Sequence, residues 1–220
     1  KQNHRHYMHK EIHQQPDTIR DTFYHTHKTL PEAPFNFQQF DRINIIACGT
    51  SFYAAQIAKY WFEQVAAIAV DIDIASEFRY RSPLLTDQGL SLFVSQSGET
   101  ADTLAALRYA KEQGQQTLGI VNVINSSIAR ETDFFIQTQA GPEIGVASTK
   151  AFTAQLTVLA TLVIRAAFCR GKISMESASE LNFSLSSIPS LLELVLKQES
   201  QFKAIGESIV KAEDAYFIGR

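Results

Sequence analysis

The sequence predicts an α/β fold in which a doubly wound, parallel five-stranded sheet is flanked by helices, with extra helices toward the C-terminus. Between residues 41 and 140, short apolar runs end in small polar residues and are followed by stretches with helical spacing. This alternation is typical of βαβ units, which build parallel sheets. From residue 147 to about 212 the pattern is helical, which predicts the extra helices.

Five apolar runs are the candidate strands. Each is rich in Val, Ile or Phe and nearly continuous, as expected for strands that helices cover on both faces. The runs span residues 44–47, 69–74, 91–94, 117–121 and 134–138.

Helical periodicity follows the first and third strands, over residues 52–64 and 100–113, and Gly114 suits the C-cap of the second helix. A linker containing Pro31 and Pro34 precedes the first strand. Further helices are predicted around 11–24, from 147 to about 170, over 175–196, and on to about 212.

Composition limits the classes of partner. A net charge of -3, from 20 basic and 23 acidic residues, offers no cationic stripe, so we expect neither nucleic acid nor an anionic membrane as partner. No uninterrupted apolar run reaches the roughly 20 residues that span a bilayer. Only Cys48 and Cys169 are present, which fits a reducing, cytoplasmic location.

Three segments are expected along the chain. Residues 1–31 form an N-terminal helical segment and linker, 32–172 the sheet domain, and 173–220 a helical connection followed by the first strand of a further domain. The chain begins with Lys1, and a strand-like run at 215–218 leads directly to its last residue. We therefore expect both ends to be cuts inside a longer polypeptide.

Two turns after predicted strands are rich in hydroxyl side chains, at residues 48–51 and 95–100. Ligands of open parallel sheets bind beyond the carboxyl ends of the strands, where helix N-termini attract anions. Gly49 and Gly98 allow close approach of the backbone. Ser or Thr at one helix start is usually an ordinary N-cap, but two such turns on one edge favour a phosphate cradle without a lysine.

Other phosphate motifs are missing from the sequence. The spaced glycines of a dinucleotide fingerprint do not follow Gly49, and no Gly-rich loop ends in Gly-Lys-Ser or Gly-Lys-Thr, so nucleotide binding is disfavoured. A third segment, 141–150, leads into the long helix with Ser148 and Thr149 at its start. This segment is consistent with a fixed loop that lies against the ligand, and equally with no more than a capped turn.

Candidate catalytic and metal-binding residues are few. His9 and His13 stand one helical turn apart, but no third ligand is evident, so a solvated helix face is favoured and neither metal nor cofactor is expected.

Cys48 lacks a histidine partner and is interpreted as a small buried turn residue. Glu99 is either a functional carboxylate or a complement to the helix dipole. Isomerisation of a sugar needs an acid and a base with suitable pKa values. The residues of this sequence therefore explain phosphate binding better than they explain proton transfer.

Several longer runs carry a family resemblance. Residues 48–51, 75–81, 95–103, 143–153 and 6–12 resemble the sugar isomerase (SIS) domain family, which has a flavodoxin-like sheet, and together they resemble its glutamine:fructose-6-phosphate aminotransferases. The resemblance implies that Ser95, Gln96, Ser97 and Thr100 hold the phosphate of fructose 6-phosphate or glucosamine 6-phosphate. It places Thr50, Ser51 and Val146 beside the sugar, and Ser148 completes the expected substrate-binding set.

The same resemblance implies what surrounds this unit. In the family, a separate domain hydrolyses glutamine, and the residues credited with isomerisation lie in and after a second SIS domain, whose first strand residues 217–220 resemble. We therefore expect no catalytic residue here, an inactive isolated fragment, and a homodimer. A regulatory sugar-phosphate sensor and a dimerisation scaffold are the alternatives.

Overall fold

A computed structural model describes residues 4–216 and confirms the predicted parallel sheet. Its five strands have the order β2-β1-β3-β4-β5, and every neighbouring pair is parallel. The observed bounds agree with the predicted ones to within two residues at each end. The strands are β1 (Arg42–Ala47), β2 (Ala69–Ile74), β3 (Gly89–Ser95), β4 (Gln116–Val121) and β5 (Phe134–Gln137).

The strand register brings the carboxyl ends of the strands to a common edge. Ala47 of β1 lies opposite Val94 of β3, and Ser95 lies opposite Val121 of β4. Because β2 and β3 lie on opposite sides of β1, the direction of winding reverses between β1 and β3. This switch point is where open parallel sheets bind their ligands.

Eight α-helices accompany the sheet in the described part of the chain. The predicted helix 175–196 is confirmed with identical bounds, whereas the first helix is longer than predicted and runs through Pro16. Two helices of four and five residues were not predicted, because they are too short for a periodic signal. The helices are α1 (Tyr7–Thr29), α2 (Gly49–Trp61), α3 (Ala75–Phe78), α4 (Ala101–Glu112), α5 (Ser127–Glu131), α6 (Lys150–Cys169), α7 (Met175–Leu196) and α8 (Glu199–Ile209).

Helices cover both faces of the sheet. On one face, the buried alanines of α2, such as Ala54 and Ala58, pack with apolar side chains of α6, such as Leu159. On the other face, Leu107 of α4 packs with Phe93 of β3 and with α3 and α5 residues. The small side chains let the helices lie close to the sheet, so the turns that start α2 and α4 are positioned by buried packing.

Helix α6 is the central helix of one layer. By length and composition alone it could cross a membrane, but 61% of its apolar stretch is buried inside the fold. Burial against α2 and the sheet is typical of a core helix. Helix α1 packs on the other side of α6 and also contacts α7.

The connections at the two ends of the sheet domain differ from the predicted ones. The proline-containing linker includes a short 3₁₀ turn at Leu30–Glu32. Of the strand predicted at 215–218, Ala215 and Tyr216 belong to no strand, and residues 217 and 218 lie outside the described residues.

Candidate functional site

The turn after β3, residues 95–100, is called the serine loop below. The Ser95 hydroxyl oxygen accepts a hydrogen bond from the Gly98 N–H at 3.0 Å and lies 3.4 Å from the Thr100 hydroxyl. The Ser97 hydroxyl oxygen accepts from the Glu99 N–H at 3.2 Å. A serine hydroxyl that accepts from the backbone still has its proton to donate, so the loop holds its donors in place without consuming them.

The helix starts beside the switch point lack side-chain caps. Thr100 is the N-cap residue of α4 and Cys48 that of α2, and neither caps its helix. By contrast, Ser126 accepts from the Ala129 N–H at the start of α5, and Ser174 caps α7. The interpretation of the hydroxyl turns as ordinary N-caps therefore fails for α2 and α4, because neither N-cap side chain accepts from the first turn of its helix.

Gly98 lets the backbone of the serine loop lie closer to the Ser126 side chain than a residue with a Cβ would allow. Its φ is +67°, in the left-handed region, and a Cβ at this position would overlap the Ser126 side chain. Its carbonyl also accepts from the Ile128 N–H at 3.0 Å. The serine loop is thus tied to the start of α5, a contact that the sequence alone did not indicate.

Glu99 has a structural role in this arrangement. Its carboxylate accepts from the Ser127 N–H at 2.7 Å. That backbone hydrogen bond, with a second from the Ser127 side chain, holds the pKa of Glu99 below its ordinary value. Glu99 is therefore an ionised acceptor for α5, and the interpretation of it as a functional acid is disfavoured.

The turn after β1 contributes residues of two kinds. Thr50 is exposed, while Ser51 is 9% exposed and its hydroxyl accepts from the Gln155 side chain at 2.9 Å. Cys48 is half-buried, with its sulfur 3.9 Å from the Thr103 hydroxyl. Thr50 is free to face a ligand, whereas Ser51 is positioned by α6 through Gln155, a residue that the sequence analysis did not identify.

Asn122, directly after β4, joins the loops at this edge and was also missed. Its backbone N–H donates to the Gln96 carbonyl at 3.1 Å, which links it to the serine loop. Its side-chain oxygen accepts from the Thr138 hydroxyl and the Ala140 N–H, both at 3.1 Å, and its amide nitrogen donates to the Gly141 carbonyl at 2.9 Å. The asparagine is 8% exposed, so these bonds are largely shielded from water.

The loop before α6 is organised by Glu143. This carboxylate accepts from the N–H groups of Thr149 and Ala151, at 2.9 and 3.2 Å, and from the Ser148 hydroxyl at 3.2 Å. Ser148 is thus engaged within its own loop rather than with the serine loop. Val146 is fully exposed at the tip of the loop. These contacts support the capped-turn interpretation of the segment 141–150.

Helix α1 holds the same loop from the other side. Glu11 is 2% exposed, and its carboxylate accepts from the Ile144 N–H at 2.6 Å and the Gly145 N–H at 3.0 Å. Lys150, 4% exposed, donates to Gln14 at 3.0 Å, and desolvation lowers its pKa. A helix outside the sheet domain therefore fixes the loop in which Val146 stands.

The histidine pair of α1 has a third member. His4 lies with its Nδ1 3.0 Å from Nδ1 of His9, and one ring nitrogen of each of His4, His9 and His13 falls within 4.8 Å of the others. The statement that no third ligand accompanies His9 and His13 is therefore wrong. The sequence signal was present, since His4 is five residues before His9, but it precedes the first residue of the helix.

Comparison with known proteins places this geometry in a family. The SIS domain model matches residues 36–165, which contain the whole sheet. Two curated relatives, from Bradyrhizobium diazoefficiens and Brucella abortus, are named glutamine--fructose-6-phosphate aminotransferase [isomerizing] and are 50% and 51% identical over the whole of this chain. The chain spans only 37% of the length of either relative.

A solved structure shows the same architecture. The C-terminal domain of glucosamine-fructose-6-phosphate aminotransferase from Francisella tularensis superimposes with a TM-score of 0.93 at 38% identity. The match covers 100% of this chain and 64% of that one. The similarity therefore includes the helices outside the sheet domain as well as the sheet.

Gly98→Ala is expected to destabilise the fold more than Gly114→Ala. Both glycines have left-handed φ angles, but a Cβ at Gly114 meets open space. The conformational cost of about 1–2 kcal/mol is common to both substitutions, and overlap with Ser126 adds about 1–3 kcal/mol at Gly98. Urea unfolding of the two variants measures the difference. Equal losses would contradict the assigned close approach.

Asn122→Ala is expected to lower the free energy of unfolding by about 2–4 kcal/mol, because it leaves the Ala140 N–H and the Gly141 carbonyl of the loop after β5 without their partner. Asn125→Ala is the matched control, since Asn125 is exposed in the following turn, and should change stability by less than about 0.5 kcal/mol. Denaturant unfolding with circular dichroism measures both. A loss at Asn122 no larger than the control would show that the side chain does not hold the edge together.

Proposed function

The chain belongs to the SIS domain family, and on that premise we propose that it is the phosphosugar-binding half of the isomerase part of a glutamine:fructose-6-phosphate aminotransferase. The proposed ligands are fructose 6-phosphate and glucosamine 6-phosphate, so the chain would serve amino sugar synthesis. The relatives that carry this enzyme name cover all of the chain at about 50% identity. Within it, residues 32–172 are proposed as the binding domain.

The observation that carries the proposal is the uncapped start of α4 directly behind the serine loop. The N–H groups of the first turn have no side-chain acceptor, and the helix dipole adds partial positive charge there. Three hydroxyl side chains, of Ser95, Ser97 and Thr100, surround this helix start. A phosphate is the ligand that matches such a set of donors, since its oxygens accept several hydrogen bonds at once.

The proposed division of roles follows from the contacts. Ser95 and Ser97 are oriented by the backbone N–H groups that they accept, so each can direct its proton toward a phosphate oxygen. Gln96 is anchored through its carbonyl to Asn122, which leaves its side chain to contact the ligand. Thr50 and Ser51 on the adjacent turn, with Val146 and Ser148 across the edge, are proposed to line the sugar end.

Proton transfer is proposed to depend on residues outside this part of the molecule. Two carboxylates among residues 4–216 are committed to structural bonds: Glu99 of the serine loop to Ser127, and Glu143 of the loop before α6 to the start of that helix. A second SIS domain is proposed to supply the acid and base. A glutaminase domain in the longer chain, a homodimer and a cytoplasmic location complete the proposal.

A regulatory sugar-phosphate sensor is the second candidate, and the similarity to aminotransferases along the whole chain argues against it. The dimerisation scaffold predicts no ligand binding at all. Calorimetric titration separates these readings in part, because the scaffold alone predicts no heat of binding with any sugar phosphate.

Ser97→Ala is expected to weaken binding of glucosamine 6-phosphate by about 1.5–3 kcal/mol, the cost of one charge-assisted hydrogen bond. Isothermal titration of the 220-residue chain with glucosamine 6-phosphate and fructose 6-phosphate measures the affinity, with glucose and inorganic phosphate as ligand controls. Ser179→Ala is the protein control, since Ser179 is exposed on α7.

Selective binding of the sugar phosphates, weakened at Ser97 and unchanged at Ser179, supports the proposal. Unchanged affinity in Ser97→Ala would refute the assigned phosphate position. Failure of the unsubstituted chain to bind either sugar phosphate would contradict an independent phosphosugar site.

A further inference from the structure

Three imidazoles converge at the start of α1, away from the serine loop. The ring centroids of His4, His9 and His13 lie 4.5 to 5.2 Å from one another, and one nitrogen of each lies within 4.8 Å of the other two. Tetrahedral zinc with bonds of about 2.0–2.1 Å sets its ligand nitrogens about 3.3 Å apart. A small inward shift of the rings would therefore produce a three-histidine metal site.

The hydrogen bonds around the rings orient them as metal ligands. His13 Nδ1 is 2.9 Å from the His9 carbonyl, which can only accept, so a neutral His13 keeps its lone pair on Nε2. His9 Nε2 is 2.7 Å from the Glu199 carboxylate, so His9 donates there and keeps its lone pair on Nδ1. A histidine that donates to a carboxylate while its other nitrogen faces a metal is the usual outer-shell arrangement of zinc sites.

The contact between His4 and His9 also brings two possible ligand nitrogens together. Their Nδ1 atoms are 3.0 Å apart, so without a metal His4 donates to the lone pair of His9 Nδ1, and a metal would replace this hydrogen bond.

We propose that His4, His9 and His13 bind one divalent transition metal, zinc by ligand type, with Glu199 as the positioning residue for His9. Imidazole favours zinc, copper and nickel over magnesium and calcium, which prefer oxygen ligands. Glu199 Oε2 lies 3.5 Å from His13 Nε2, so the carboxylate flanks the site, and water fills the fourth position. This proposal replaces the expectation of no metal.

The site would connect two parts of the molecule. The three histidines precede or begin α1, whereas Glu199 is the first residue of α8, a helix with no buried residue. Glu11, two residues from both His9 and His13, points to the opposite side of α1 and holds the loop at Ile144 and Gly145. Metal binding would thus fix α8 to the helix that supports the ligand loop.

Equilibrium dialysis against zinc tests the proposal, using the 220-residue chain freed of any polyhistidine tag and first stripped with a chelator. Elemental analysis is expected to find one zinc per chain, and thermal unfolding should shift to higher temperature with zinc. Cobalt(II) substituted for zinc should give the strong visible absorption of a four-coordinate site.

Variants assign the ligands. His13→Gln is expected to lose the bound zinc, while His25→Gln, on the same helix outside the cluster, should retain it. Glu199→Gln should weaken zinc affinity about 10–100-fold without abolishing binding, as expected for an outer-shell partner. Circular dichroism of each variant confirms that the fold is intact.

The proposal is overturned if the unsubstituted chain retains no zinc, or if His13→Gln and His25→Gln retain it equally. Retention by Glu199→Gln with unchanged affinity would overturn the assigned role of Glu199 alone.

Discussion

The polar groups of Asn122 hold together the edge of the sheet on which the proposed site depends. Its backbone reaches the serine loop at Gln96, and its side chain satisfies donors and acceptors in the loop after β5 at Thr138, Ala140 and Gly141. In parallel sheets the loops carry the ligand contacts and the strands provide rigidity. Here one buried residue transfers that rigidity to two loops, through its backbone N–H to the serine loop and through its side-chain amide to the loop after β5.

The helix starts differ in how their first N–H groups are satisfied, and α1, α3 and α8, like α2 and α4, have no side-chain cap. The starts of α5, α6 and α7 are satisfied by Ser126, Glu143 and Ser174. Those of α2 and α4, which flank the switch point, receive no side-chain cap although they are rich in hydroxyl residues. The physical basis of the proposed phosphate affinity is the combination of an uncapped helix start with hydroxyl donors at the switch point.

The sequence was sufficient to predict the sheet, because the strands are nearly continuous apolar runs separated by helices with clear periodicity. It also located the serine loop, since hydroxyl residues and a glycine directly follow a strand. It could not reveal Asn122, Gln155 or the role of Glu99, because their partners lie 15 to 104 residues away along the chain. The third histidine was missed for another reason, as periodicity assigns positions within a helix but not those of the residues that lead into it.

The serine loop and the start of α4 are the proposed binding site for the phosphate of a sugar phosphate. Nuclear magnetic resonance of the ¹⁵N-labelled chain, titrated with glucosamine 6-phosphate and separately with glucosamine, tests it most directly. Binding at this site should produce saturable shifts of the amide signals of residues 96–103, larger than those elsewhere and dependent on the phosphate. Shifts that cluster at other helix starts, or that are equal for the two ligands, would contradict it.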